Sequence, residues 1–232
     1  MQYNRRMKKY SLFLVVFSLL LFTTSQADEV VPFQYNDDNL LLPIPDGFCN
    51  ATEDLVGIFI MDYLNTQISN GADVPEPVIV YTRCGFENTL EEIYPFGYIG
   101  LINNSKPTIT QKVVNKTLDK VLDNSEMMQK LQESIDNATK DTISEYGMEF
   151  EAFGIDQSTL VWTDENVAIV TTRMQYIMEG ETFNEFSVQA STALNKTLVN
   201  YYVMDEESGL TTPKENAFLL IVNSKRLVRM NK

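Results

Sequence analysis

Apolar residues recur at helical spacing in the first half of the chain and predict a helix over 52–69. Asn50 and Glu53 form a capping-box-like start for this helix, and Asn70-Gly71 supplies its end. The pattern then changes, because residues 78–84 are rich in β-branched side chains, which predicts a strand.

Shorter apolar runs predict strands on both sides of these elements. Residues 40–42 form such a run, which Pro43 and Pro45 confine to the edge of a sheet. The acidic residues 28–39 before it are expected to be loosely held. Another apolar run predicts a strand over 98–102.

Helical periodicity returns over 108–146 and predicts two amphipathic helices in succession. Asp123 and Glu126 offer a second capping box where the two helices are expected to meet. Near the end of the chain, Thr212 and Pro213 combine an N-cap with proline at the first helical position, which predicts a terminal helix.

Between these helices the chain consists of β-rich segments separated by short turn signals. The predicted strands are 148–155, 159–163, 167–179, 184–194 and 197–204. Connections this short allow antiparallel hairpins and no parallel crossovers. Helices before and after a consecutive meander predict a single α+β domain over 28–232, in which helices pack on one face of an antiparallel meander sheet.

The first 27 residues have the three zones of a secretory signal peptide: a basic start, an apolar run over 12–22 and a polar exit of small residues. Cleavage is expected after Ala27. The alternative is a transmembrane anchor, but a run of this length, at about 1.5 Å per residue, covers about half of a hydrocarbon core about 30 Å thick. We therefore expect export and no stable membrane insertion after cleavage.

Composition and charge exclude several classes of function. The chain contains no histidine, so catalytic triads and metal sites that need imidazole are excluded. Its 18 Lys and Arg against 32 Asp and Glu give a net charge of −14, and losing the four basic residues of the signal peptide gives −18. Nucleic-acid binding needs a basic surface, so no nucleic-acid partner is expected. Nucleotide-loop and nucleophile motifs are absent, and no cofactor or metal is expected.

The two cysteines are Cys49 and Cys84, and export places them in an oxidising compartment. We predict that they form a structural disulfide, for which loop entropy gives a stabilisation of roughly 3–4 kcal/mol. The alternative is a redox pair, but redox-active cysteines typically occur in a short C-x-x-C motif, which this sequence lacks.

Three features together resemble uncharacterised exported bacterial proteins with a P-x-G-[FY]-C opening: the strand-turn Leu42-Pro43-Ile44-Pro45-Asp46-Gly47-Phe48-Cys49, the amphipathic helix after it, and Tyr81-Thr82-Arg83-Cys84 ahead of an aromatic stretch. The resemblance covers about the first third of the mature chain. It implies export to the periplasm or the cell exterior and the pairing of the two cysteines, and it implies no activity.

Two acidic pairs are candidates for a glycosidase acid and base: Glu91 with Glu92, and Glu149 with Glu151. Chance pairs are expected in so acidic a chain, and the favoured interpretation of both pairs is a solvated face. No residue is therefore assigned a catalytic role.

Two further acidic segments and one aromatic segment are candidates for binding. Calcium is an option at Asp37-Asp38-Asn39 and at Asp205-Glu206-Glu207, although neither has the alternating ligands of a calcium loop. Tyr94-Pro95-Phe96-Gly97-Tyr98 offers aromatic surface for a carbohydrate or peptide groove, with core packing as the favoured interpretation.

Two functions from different classes follow. The first is an exported, non-catalytic binding module that engages a protein or an envelope component through one face of its sheet. The alternative is a carboxylate-dependent hydrolase. Two acidic side chains that converge in a cleft would favour the hydrolase.

Overall fold

The computed structural model describes residues 29–35, 38–71, 74–85, 94–103, 109–145, 150–178, 180–194 and 196–232. The strands are β1 (Val30–Tyr35), β2 (Asp38–Pro43), β3 (Phe48–Asn50), β4 (Glu76–Arg83), β5 (Phe96–Asn103), β6 (Phe150–Thr163), β7 (Ala168–Met178), β8 (Glu181–Leu194) and β9 (Thr197–Glu206). The helices are α1 (Leu55–Ser69), α2 (Gln111–Leu122), α3 (Ser125–Glu145) and α4 (Pro213–Met230).

A seven-stranded sheet organises the fold, with strand order β3-β4-β5-β9-β8-β7-β6. Every neighbouring pair is antiparallel, and β6 to β9 form the predicted meander. Strands β1 and β2 form a separate antiparallel hairpin. The predicted α+β class with an antiparallel sheet is confirmed.

Helices cover both faces of this sheet, so the prediction of a single helical face is wrong. On β4, Ile79 and Tyr81 lie in the core cluster that contains Leu220 of α4. Val80 lies between them in sequence and belongs to a second cluster with Val56 of α1. Because successive side chains of a strand point to opposite faces, α4 and α1 pack on opposite sides of the sheet.

The terminal helix α4 forms as its sequence predicts. The hydroxyl of Thr212 accepts from the backbone N–H of Glu215, and the Glu215 carboxylate accepts from the backbone N–H of Thr212, which completes a capping box. Leu220 and Leu227 are fully buried against the sheet. At the far end, the Asn231 amide donates to the carbonyl of Leu41 and accepts from its N–H, both at 2.8 Å, which ties α4 to β2.

Several predicted boundaries differ from the structure. Residues 30–35 are paired with β2, although a loosely held segment was expected, because the hairpin packs its apolar side chains on the α4 core. The two strands predicted over 148–163 are the single strand β6, whose register shifts near Gln157 take up the turn signal as a bulge. Helix α1 begins after Asp54, and the Asn50 side chain accepts from the backbone of Thr52 instead of forming a capping box.

The junction between α2 and α3 is capped by Asn124, whose side chain accepts from the N–H groups of Glu126 and Met127, and not by Asp123 as predicted. The predicted signal peptide over 1–27 lies outside the described residues. Within the described part of the chain, no helix is long and apolar enough to span a bilayer.

Candidate functional site

The disulfide fixes the turn that precedes β3. Cys49 and Cys84 are joined, with 5.1 Å between their Cα atoms, as predicted. The turn itself contains Gly47 at φ 83°, a left-handed conformation that favours glycine, and closes through a hydrogen bond from Phe48 N to Pro45 O at 3.0 Å. The turn therefore presents Phe48 at a fixed position beside the start of α4.

A groove of about 870 Å³ lies between this turn and α4. Its apolar lining includes three exposed side chains: Phe218 is 70% exposed, Leu210 58% and Val222 42%. Phe48 and Leu219 complete the apolar lining, and the lining also includes charged residues of both signs: Asp46, Arg83, Lys214 and Glu215. We call this feature the α4 groove. Exposed apolar side chains together with charged residues of both signs are typical of a protein-binding surface.

Asp205 holds the loop that forms one wall of the α4 groove. This carboxylate is fully buried and accepts from Thr211 N at 2.9 Å, from Thr211 Oγ1 at 2.7 Å and from Glu206 N at 2.9 Å. Gly209 packs directly on the carboxylate, where a Cβ atom would collide with it. The loop is therefore fixed, and Leu210 within it is held at the groove.

The calcium option at Asp205 does not fit this geometry, because three of the lone-pair directions of its carboxylate face N–H or O–H donors. Asp37, in the other calcium candidate, lies outside the described residues. A search of the residues that the structure describes found no group of three or more carboxylate or cysteine side chains able to hold a metal ion.

The carboxylate pairs suggested by the sequence fall largely outside the described residues. Glu91, Glu92 and Glu149 lie outside the described residues, and the side chain of Glu151 is likewise not described. Glu185 on β8 and Glu206 on β9, in contrast, are direct partners across the strand pair. Glu185 is only 5% exposed, which separates its carboxyl from any substrate in solution.

The buried Glu185 contacts two half-buried tyrosines, and we call the three residues the Glu185 cluster. Tyr176 on β7 donates a hydrogen bond to Glu185 Oε1 at 2.6 Å, and Tyr94, before β5, donates a short hydrogen bond to the same oxygen. Burial raises the pKa of Glu185; the two tyrosine hydroxyls oppose this, and the nearby charges of Glu206 and Asp205 add to it.

The aromatic residues of segment 94–98 have two different environments. Phe96 and Tyr98 are buried in the α1 core, and Tyr98 stacks on Tyr202 with 4.4 Å between ring centroids. This agrees with core packing, the favoured interpretation. Tyr94 was not assigned a polar role, because its partner Glu185 is 91 positions away.

Sequence reasoning also missed the α4 groove. Phe218 and Val222 are four positions apart and share an outer face of α4, off the buried stripe. Two large apolar side chains at that spacing on an otherwise polar helix face indicate an exposed apolar surface, and this pattern is visible in the sequence.

Comparisons with known proteins identify no relative by sequence: no family model and no curated protein matches the chain. Among solved structures, the solution structure of cyanobacterial PsbP (CyanoP) from Synechocystis sp. PCC 6803 is similar, with a TM-score of 0.35 and 8% sequence identity. The match covers 89% of this chain and 94% of that chain. A similarity of this size says nothing about the function of this protein.

Proposed function

We propose that this protein is an exported, non-catalytic binding module whose α4 groove receives a large apolar side chain of a partner protein. The observation that carries the proposal is the exposure of Phe218, Leu210 and Val222 around one concavity. Exposed apolar side chains that line a common groove mark interaction sites, whereas scattered ones are ordinary.

The surroundings of the α4 groove favour a protein over other occupants. Its lining includes acidic Asp46 and Glu215 together with basic Arg83 and Lys214, which suits a polypeptide with side chains of both signs. The net charge of −14 disfavours binding to an anionic membrane surface. Repulsion between like charges also disfavours binding to a second copy of the chain.

Export is part of the proposal. The three-zone start of the sequence and the Cys49–Cys84 disulfide both suit an oxidising compartment, which in a bacterium is the periplasm or the exterior. A partner protein or another component of the cell envelope would be met there.

Site-specific photocrosslinking in cells that make the protein tests this function. Phe218 is replaced by photoreactive p-benzoylphenylalanine, and the matched control places the same residue at Leu55, an apolar side chain of α1 with 65% exposure. We expect one discrete protein adduct from position 218 that disappears when Val222→Asp is added. The same adduct from position 55, or none from 218, would contradict the proposal.

The hydrolase is the alternative function, and separate variants address it. Glu185→Gln removes the buried carboxyl, and alanine at Glu91, Glu92, Glu149 or Glu151 removes the pairs proposed from sequence. We expect the cellular phenotype of the gene to survive all five changes. Loss of a measured hydrolytic activity in any folded variant would replace the binding module with an enzyme.

A further inference from the structure

The exposed face of α4 extends well beyond the α4 groove. Its exposed residues include Phe218, Val222, Lys225 and Arg229, which follow one another at spacings of three and four positions and so share one side of the helix. From Phe218 to Lys225 the helix makes two turns, a length of about 10 Å. This face is therefore long enough to contact a segment of several residues and not only a single side chain.

A second exposed aromatic side chain, Trp162 near the end of β6, lies beside the far part of this face. Its indole N–H donates to Oδ2 of Asp164 at 3.4 Å, and the same oxygen pairs with the ammonium group of Lys225 at 3.2 Å. Trp162 is 47% exposed. Asp164 therefore connects an exposed tryptophan to α4 at a point two helical turns beyond Phe218.

Both ends of this surface are held in place by hydrogen bonds within the protein. Through Oδ1, Asp164 accepts from two backbone N–H groups of the turn that follows β6, at 2.8 and 3.0 Å, which fixes the turn next to Trp162. At the other end, Asp205 fixes the loop that contains Leu210. Side chains on fixed backbone lose less conformational entropy on binding, and aromatic side chains carry much of the binding energy of an interface.

The charge of α4 is opposite in sign to that of the whole protein. The helix contains four basic residues against one acidic residue, which gives it a net charge of +3, whereas the chain has −14. The basic residues are Lys214, Lys225, Arg226 and Arg229. Two of these cations pair with aspartates, whereas Arg229 is exposed and forms no ion pair with a carboxylate of the described residues. An acidic segment is therefore attracted to this face and repelled by the rest of the surface.

We propose that the binding surface continues from the α4 groove to Trp162 and receives an acidic segment of the partner protein that has an apolar side chain at each end. One apolar side chain enters the α4 groove beside Phe218, and the other packs on Trp162. Asp or Glu residues of the segment lie against the basic half of α4, next to Arg229. This inference rests on the proposed binding function and adds the length and the charge of the segment that binds.

Photocrosslinking from two positions, followed by mass spectrometry of the joined peptides, tests the length of the surface. p-Benzoylphenylalanine at position 162 should capture the same protein as it does at position 218. Because about 10 Å of helix separates the two sites, the two joined residues of the partner should lie within about ten residues of each other. Met127 on α3, which is 46% exposed, is the matched control position for Trp162 and should not give this adduct.

The charge of the segment is tested in two ways. The joined peptides should contain more acidic than basic residues. Arg229→Glu should lower the yield of the adduct from position 218 at least about threefold, because it replaces an attraction to the carboxylates of the partner with a repulsion. Lys112→Glu, an exposed change on α2 that alters the net charge of the chain by the same amount, should leave the yield unchanged.

The outcomes separate this inference from the proposed function. An adduct from position 218 on a segment without an acidic excess, a different segment or none from position 162, or equal yields with Arg229→Glu and Lys112→Glu would overturn the inference and leave the proposed function standing. The absence of any adduct from position 218 would overturn both.

Discussion

Phe48 packs edge to face on Tyr81 across the β3–β4 pair, with 5.3 Å between the ring centroids. The next residue, Cys49, is bonded to Cys84, which follows Arg83, the residue paired with Phe48. Tyr81 is itself held, because its hydroxyl donates to the carbonyl of Tyr202 at 2.5 Å. The disulfide and the ring contact therefore fix Phe48, the apolar side chain that the turn contributes to the α4 groove.

Replacing both cysteines by serine should lower the free energy of unfolding by roughly 3–4 kcal/mol, because a loop between positions 35 apart is no longer closed. Urea unfolding of the variant and of wild type measures the difference. Reductant should lower the stability of wild type by the same amount and leave the variant unchanged. Free thiols in protein taken from the exported compartment would contradict the account.

Leu220→Ala should cost about 2–5 kcal/mol, since this side chain is fully buried between α4 and the sheet. Phe218→Ala, two positions earlier on the same helix, should change the stability by less than about 0.5 kcal/mol because Phe218 is exposed. Urea denaturation compares them. Equal losses would mean that the helix packs differently, and a truncation at Gly209 that kept full stability would show that α4 is an appendage.

Asp205→Ala should destabilise the protein by about 2–4 kcal/mol, because it leaves the N–H and hydroxyl of Thr211 without their buried acceptor. Glu207→Ala is the control: its ion pair with Arg173 is exposed and its loss should cost at most about 1 kcal/mol. Thermal unfolding measures both. If the two variants lose equal stability, Asp205 does not hold the groove loop.

Glu185 should make the protein less stable as the pH rises. Its pKa is raised in the folded state, mainly by burial, so its contribution is fully present below the unfolded value of about 4.3 and is lost as the pH rises through the folded value. Urea unfolding between about pH 4 and pH 8 should show this loss in wild type and in Glu181→Gln. Glu185→Gln should lack it, and parallel curves for all three proteins would contradict the assignment.

Much of the fold could be predicted from local pattern. The start of α4 is specified by Thr212, Pro213 and Glu215 within one turn of helix, and the structure contains the predicted capping box. The turn signals of the meander likewise predict which strands pair, because the paired strands follow one another in the sequence. The predicted disulfide needed only the cysteine count and the evidence for export.

The covering of both sheet faces was predictable but was missed. The run Val78-Ile79-Val80-Tyr81 is apolar without alternation, which is typical of a strand buried on both sides. The Glu185 cluster was not predictable, because Glu185 stands between Asn184 and Phe186 in a pattern typical of a half-exposed strand. Its burial depends on pairing with β9 and on Tyr94, and nothing local encodes either contact.

The affinity of the protein that crosslinks to position 218 tests the central claim most directly, once that protein is purified. Phe218→Ala should weaken its binding at least about tenfold, because central aromatic side chains carry about 2 kcal/mol or more of the binding energy. Leu55→Ala, which removes an equally exposed apolar side chain from α1, should change the affinity less than about twofold. Equal weakening by both changes, or loss of affinity with Leu55→Ala alone, would contradict the assignment of the α4 groove as the binding site.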